Sequence, residues 1–153
     1  MAKDYDPHMH TAEHVLNQTM IRLFGTGRCF SSHLNRDKSK CDYHFDRDLT
    51  DAEAQALEAA VNDVLTRNLP ITEEFVSLEE AGKQVNTAKL PPETRTDPKF
   101  RIRLVRIGDY DLCPCIGAHV RETGQVVPFR LVSHSFIDPG VLRLRFRAGD
   151  SRN

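Results

Sequence analysis

Residues 141–146 alternate Leu142, Leu144 and Phe146 with Arg143 and Arg145, and Arg147 continues the polar set. A period of two with arginine at every second place is the pattern of a β-strand with one face in a core and the other in water. Such a strand needs paired neighbours and an apolar layer to cover its inner face. Neighbours are at hand in residues 28–34 and 41–45, where Cys41, Tyr43 and Phe45 alternate with Asp42 and His44, and the polar stretch 35–40 reads as the hairpin between them. Residues 71–76, 100–107 and 126–132 are further strand candidates.

The covering layer is equally marked. Asp6 and Pro7 open a helix whose apolar stripe runs through Met9, Ala12, Leu16, Met20 and Leu23 to a Gly25 cap. Thr50 and Glu53 form a capping box for a second helix lined by Leu57, Val61, Val64 and Leu65, which must stop before Pro70. Ser77 and Glu80 repeat the box for a short third helix, and residues 86–99, with three prolines, read as a loop. Hairpins in place of regular strand–helix alternation predict an α+β fold: a largely antiparallel β-sheet with helices packed on one face.

At 153 residues, 39% hydrophobic and 28% charged, the chain reads as one domain over residues 1–153. Its apolar runs are far shorter than a bilayer span and MAKDYDPHMH does not resemble a signal peptide, so no membrane partner and a cytoplasmic location are expected. In a reducing compartment its four cysteines are more often buried, reactive or metal-bound than bridged. A net charge of −1 argues against a global basic field, yet residues 101–153 carry nine arginines against five acids, which suits a local anionic partner. No glycine-rich phosphate loop is present, so no ATP chemistry is expected.

His10 and His14 stand one helical turn apart, and Cys115 and His119 repeat that spacing late in the chain. Three imidazoles and a thiolate suit tetrahedral zinc, which would sit between the first helix and the Cys-x-x-x-His segment. Glu13 adds an H-x-x-E-H pattern, in which a glutamate serves zinc peptidases as general base. Its bland alternative is a solvated helix residue. Two basic clusters, Arg36, Lys38 and Lys40 on the hairpin and Arg143, Arg145 and Arg147 on the last strand, are candidates for phosphate contact.

With their flanks, these motifs resemble the editing domain, or second additional domain, of alanyl- and threonyl-tRNA synthetases and of freestanding AlaX-type trans-editing proteins. HTAEHVL resembles that family's H-x-x-x-H helix and CIGAHVRETGQV its C-x-x-x-H segment, while KCDYHFD, AVNDVLTRNLPI and IRLVRIGDYDLC agree between them. The resemblance spans nearly the whole chain. It implies zinc ligands at His10, His14, Cys115 and His119, and hydrolysis of the ester joining a wrong amino acid to the 3′ acceptor end of a mischarged tRNA. It also implies a polar amino-acid pocket near Ser31, Ser32 and His33, which with Glu13 are the catalytic-site candidates. Ile116 and Ala118 depart from the glycine and threonine usual in alanyl forms, and Cys113 from an acidic residue; these departures bear on substrate choice.

The expected function is therefore a zinc-dependent aminoacyl-tRNA deacylase acting in trans, with Ser- or Gly-tRNA(Ala) as substrate. The alternatives are a non-catalytic zinc-stabilised tRNA-binding module and an H-x-x-E-H zinc peptidase. Four protein ligands would close a tetrahedral zinc, so hydrolysis needs a displaced ligand or a fifth position.

Overall fold

A computed structural model describes residues 6–88, 90, 92 and 96–149. Among these residues the elements run in the order α1 (Pro7–Phe24), β1 (Ser31–His33), β2 (Ser39–His44), α2 (Asp51–Thr66), β3 (Ile71–Val76), α3 (Leu78–Gly82), β4 (Ile102–Ile107), β5 (Asp111–Pro114), β6 (Phe129–Asp138) and β7 (Val141–Ala148). A single 3-10 turn, Thr123–Val126, precedes β6.

The helix ends are set locally, as expected. The Asp6 carboxylate accepts from the backbone N–H of His8 at 2.9 Å and of Met9 at 3.3 Å, and Gly25 closes α1 at φ 69°, a left-handed conformation that glycine adopts without strain. Thr50 and Glu53 form the reciprocal box on α2, and the Ser77 side chain caps α3.

The sheet differs from expectation, because the strands divide into two antiparallel sheets, ordered β1-β2-β7-β6 and β3-β4-β5. One sheet would need one continuous apolar face. Instead Ile102 and Leu104 of β4 bury against Ala81 of α3 in a small core of their own. The main core fills the space between α1, α2 and the four-stranded sheet, where Leu142, Leu144 and Phe146 of β7 meet Tyr43, Leu16 and Leu57. Arginine thus faces outward from β7 as the alternation requires.

Other differences are local. Val126 belongs to the 3-10 turn, and β6 starts after Pro128, which has no N–H for a ladder, and then runs on to Asp138. Its second half escapes a hydropathy reading because Ser133, His134 and Ser135 interrupt it, and because the register with β7 slips between Leu131 and Ser133 and between Phe136 and Asp138. The strand β5 was not expected; Gly108 at φ 48° turns β4 back into it.

Helix α1 is buried on more sides than its apolar stripe requires. Met9, Ala12, Leu16 and Met20 are inside, but so are His10, Thr11, Glu13, His14, Asn17 and Thr19. Leu23, the last residue of the expected stripe, is 47% exposed beyond the sheet's cover. No helix among the described residues is long and apolar enough to cross a membrane.

Met20→Ala should therefore lower unfolding free energy by about 2–5 kcal/mol, whereas Leu23→Ala should stay within about 0.5 kcal/mol of the parent. Urea titrations of the two variants check the contrast.

Candidate metal centre

The donors of His10, His14, Cys115 and His119 lie within 4.8 Å of one another. His10 Nε2 is 3.2 Å and His119 Nε2 3.6 Å from Cys115 Sγ, close to the ~3.3–3.8 Å edges of a tetrahedron built on zinc bonds of about 2.0–2.3 Å. The rings of His10 and His119 stack at 4.1 Å, and His14 meets His119 edge-on at 4.5 Å.

Each imidazole is held from behind. His10 Nδ1 donates to the Ala118 carbonyl at 3.0 Å; a carbonyl only accepts, so the proton sits on Nδ1 and the Nε2 lone pair faces the other donors. His119 Nδ1 and Thr11 Oγ1 share a hydrogen bond of 3.0 Å, and the Val120 N–H donates to the same hydroxyl at 3.3 Å. His14 Nδ1 stands 3.5 Å from Asp111 Oδ2, within ion-pair reach but without hydrogen-bond geometry. Asp111 is in turn fixed by the Arg28 guanidinium through two bonds of 2.9 and 3.0 Å, and by Gln18 Nε2 at 2.8 Å. Such outer contacts orient metal-binding imidazoles.

The loop between Cys115 and His119 has no regular structure. Arg103 of β4 shapes it by donating from Nη1 to the carbonyls of Cys115 at 2.9 Å and Gly117 at 2.8 Å, while its Nε reaches Glu73.

Electrostatics separates the two neighbouring cysteines. Burial alone would raise the Cys115 thiol, but its contacts with His10, His119 and His14 bring it down to about 3, which favours the thiolate. Burial pushes Cys113 up to about 12, and its thiol donates to the Pro114 carbonyl at 3.3 Å. His14 is lifted to about 9 as Asp111 and Cys115 outweigh burial, and His119 falls to about 4, chiefly through burial. Burial would raise Asp111 too; His14 and Arg28 hold it far below the carboxylate range. A thiolate with three oriented imidazoles fits zinc.

Beside these donors opens a cavity of about 640 Å³. Glu13 and Asn17 line it from α1, Cys113 and Ile116 from the β5 side, and residues 27–30 from the segment after α1, where Cys29 bonds both Glu13 and Asn17. Glu13 is not a solvated helix residue: it is 9% exposed, its Oε2 accepts from Cys29 Sγ at 3.5 Å and its Oε1 lies 3.8 Å from His10 Nε2. Ser31 and Ser32 follow that segment on β1. His33 opens instead on a recess of about 300 Å³ with Asn35, Lys38, Ser39, Lys40 and Arg145.

The sheet brings parts of the two basic clusters together. Lys40 lies opposite both His33 and Arg145, and Arg147 opposite Arg130. Arg143 is spoken for, making two bonds of 2.8 and 3.0 Å to Asp42, whereas Arg145 donates to the Ser133 and Ser135 hydroxyls, each at 3.2 Å. Arg36 is exposed on the β1–β2 connection.

Thr11, Arg28, Arg103 and Asp111 escaped the sequence reading. Only Thr11, set between the two histidines, and the acid before Leu112 gave any signal.

A family model described as the threonyl and alanyl tRNA synthetase second additional domain matches residues 102–145. The chain is 33% identical to the alanine-tRNA ligase of Aeropyrum pernix over 92% of its length, 32% to that of Idiomarina loihiensis over 93%, and 28% to that of Methanopyrus kandleri over 93%. It spans only 15–16% of the length of these relatives.

Two outcomes follow. Purified protein should carry about one zinc per chain; Cys115→Ala and His119→Ala should lose most of it and Cys113→Ala keep it, as read by elemental analysis. Arg28→Ala removes the two-bond partner of a buried carboxylate and should cost about 3 kcal/mol at pH 7. Because the folded-state pKa of Asp111 is depressed, the bridge's contribution is present above the unfolded carboxylate pKa near 4 and fades as pH falls. The gap between parent and Arg28→Ala should therefore narrow in urea titrations repeated at pH 3.

Proposed function

Because the chain belongs to the family of the threonyl and alanyl tRNA synthetase second additional domain, we propose that it is an editing hydrolase. It cleaves the ester of a mischarged tRNA, with Ser- or Gly-tRNA(Ala) as substrates acted on in trans, and residues 1–153 work as one editing domain. The observation that carries this reading is the convergence of His10, His14, Cys115 and His119 on one wall of a cavity large enough for an aminoacyl ester. Editing of this kind answers a physical limit, since a pocket rejects a near-isosteric amino acid by only about 10²-fold.

These four residues would hold the zinc, which when bound supplies a positive charge to polarise the ester carbonyl. The chain's own groups do the rest. Ala118, Thr11 and Asp111 keep the imidazoles oriented, and Asn17 is fixed by Tyr43 and the Cys29 N–H, which donate to its Oδ1 at 2.6 and 3.1 Å. Ser31 and Ser32 follow Phe30 of the cavity lining in sequence and turn to opposite faces of the sheet, Ser31 towards the Asp42 and Arg143 side and Ser32 towards the Cys41 and Leu144 side, which leaves Ser32 as the candidate for hydroxyl recognition of a seryl group. Ile116, 83% exposed at the rim, offers an apolar surface there.

The acceptor stem would lie against the outer face of the four-stranded sheet. Arg145, Lys38 and Lys40 with His33 make a recess fit for one phosphate, and the like charges of Arg130 and Arg147, directly opposite each other, are relieved by an anion. Arg36 borders this face, while Arg143 serves Asp42.

One observation favours a second reading, a non-catalytic zinc-stabilised tRNA-binding module: four protein donors fill a tetrahedron. The peptidase reading would use His10, Glu13 and His14 and leave Cys115 and His119 without a role.

The test is a deacylation panel of Ser-, Gly- and Ala-tRNA(Ala) beside Ser-tRNA(Thr), read as free amino acid released. Release from the mischarged species and not from Ala-tRNA(Ala) is expected; binding without release would favour the module. In the same assays the Lys40→Ala, Arg145→Ala pair should weaken tRNA binding and lower its salt slope by about 1–2, whereas Arg143→Ala should leave the slope unchanged.

A further inference from the structure

We propose that Glu13 is the anchor for the α-ammonium group of the aminoacyl ester, so that the cavity accepts esters with a free amine and turns away N-blocked ones such as peptidyl-tRNA. This rests on the hydrolase reading above.

Among the described residues lining the cavity, Glu13 is the only acid. The nearby Asp111 has a wholly buried side chain and is consumed by Arg28, Gln18 and His14. The Arg28 guanidinium on the cavity wall is committed to that same pair. Glu13, by contrast, has a thiol donor at one oxygen and, 3.8 Å from the other, the Nε2 of His10, whose proton is on Nδ1. Among the described residues that line the cavity, it is therefore the one group able to pair by charge with a cationic part of a ligand.

Position matches that demand. Glu13 stands outside the four-donor group, sharing its own cluster with Cys29 and Cys41, and lines the same cavity as His10, His14 and Cys115. In an aminoacyl ester the amine is two bonds from the reacting carbonyl carbon. With that carbonyl against the donors of α1, the amine comes within reach of the next carboxylate on the same helix face. Serine and glycine both carry the group, so Glu13 selects the class of ester while other residues distinguish side chains. An N-acyl substrate would place a neutral amide against the carboxylate where the free ester places a cation.

The experiment uses the full chain at verified zinc content, with Ser-tRNA(Ala) and Gly-tRNA(Ala), each free and N-acetylated. The parent should favour the free amines at least tenfold in kcat/KM. Glu13→Gln should lose that preference, mainly through a higher KM for the free amines and with N-acetyl rates unchanged, and Glu13→Asp should recover part of it. Equal loss on free and blocked esters, which a water-orienting or purely structural glutamate would give, overturns the assignment, as does no loss. Zinc content and circular dichroism identify a misfolded variant, and Glu13→Asp then carries the comparison. A parent active on all four esters with a ratio near one defeats the ammonium assignment alone. A parent that releases amino acid from none of them defeats the hydrolase reading itself.

Discussion

A helix buried on nearly every side must satisfy each polar group it carries, and the rest of this structure is arranged around that demand of α1. Its inward polar residues reach four other parts of the chain. His10 and Thr11 bond the Ala118–Val120 backbone and His119, Asn17 bonds Tyr43 and residue 29, Thr19 bonds Tyr110, and His14 faces Asp111. Any one of these contacts is modest in net free energy, but a buried group left unpaired is expensive. The loops around the site are therefore held because α1 cannot be buried without them.

What was legible in the sequence was mostly local. Asp6, Gly25, Thr50 and Ser77 cap helices through contacts a few residues away, and the arginine alternation of β7 reports its own two faces. The convergence of the two histidine-containing motifs was legible too, because a spacing of four places both donors of each pair on one side.

Strand pairing was not legible. Whether β4 joins β7 or closes with β3 and β5 depends on what covers Ile102 and Leu104, and Ala81 of the short α3 decides it. The Glu13 side chain misled for the same reason, since a charged residue on a helix reads as solvated until segment 27–30 is seen lying over it. Arg103 and Asp111 hold loop and imidazole through contacts between distant positions, which no window along the chain samples. His33 sits one residue past Ser32, yet period-two geometry turns it to the opposite face, towards Lys40.

The four convergent donors also come from different halves of the fold: two from a helix of the main core, and Cys115 from the end of β5 in the separate three-stranded sheet. The site is a seam. Whatever closes on all four donors fastens one sheet's layer to the other's, and its affinity and the cohesion of the molecule are one free energy read in two ways. Occupancy and thermal unfolding are then linked quantities, and a substitution far from the cavity that loosens either layer registers at the seam as weaker binding.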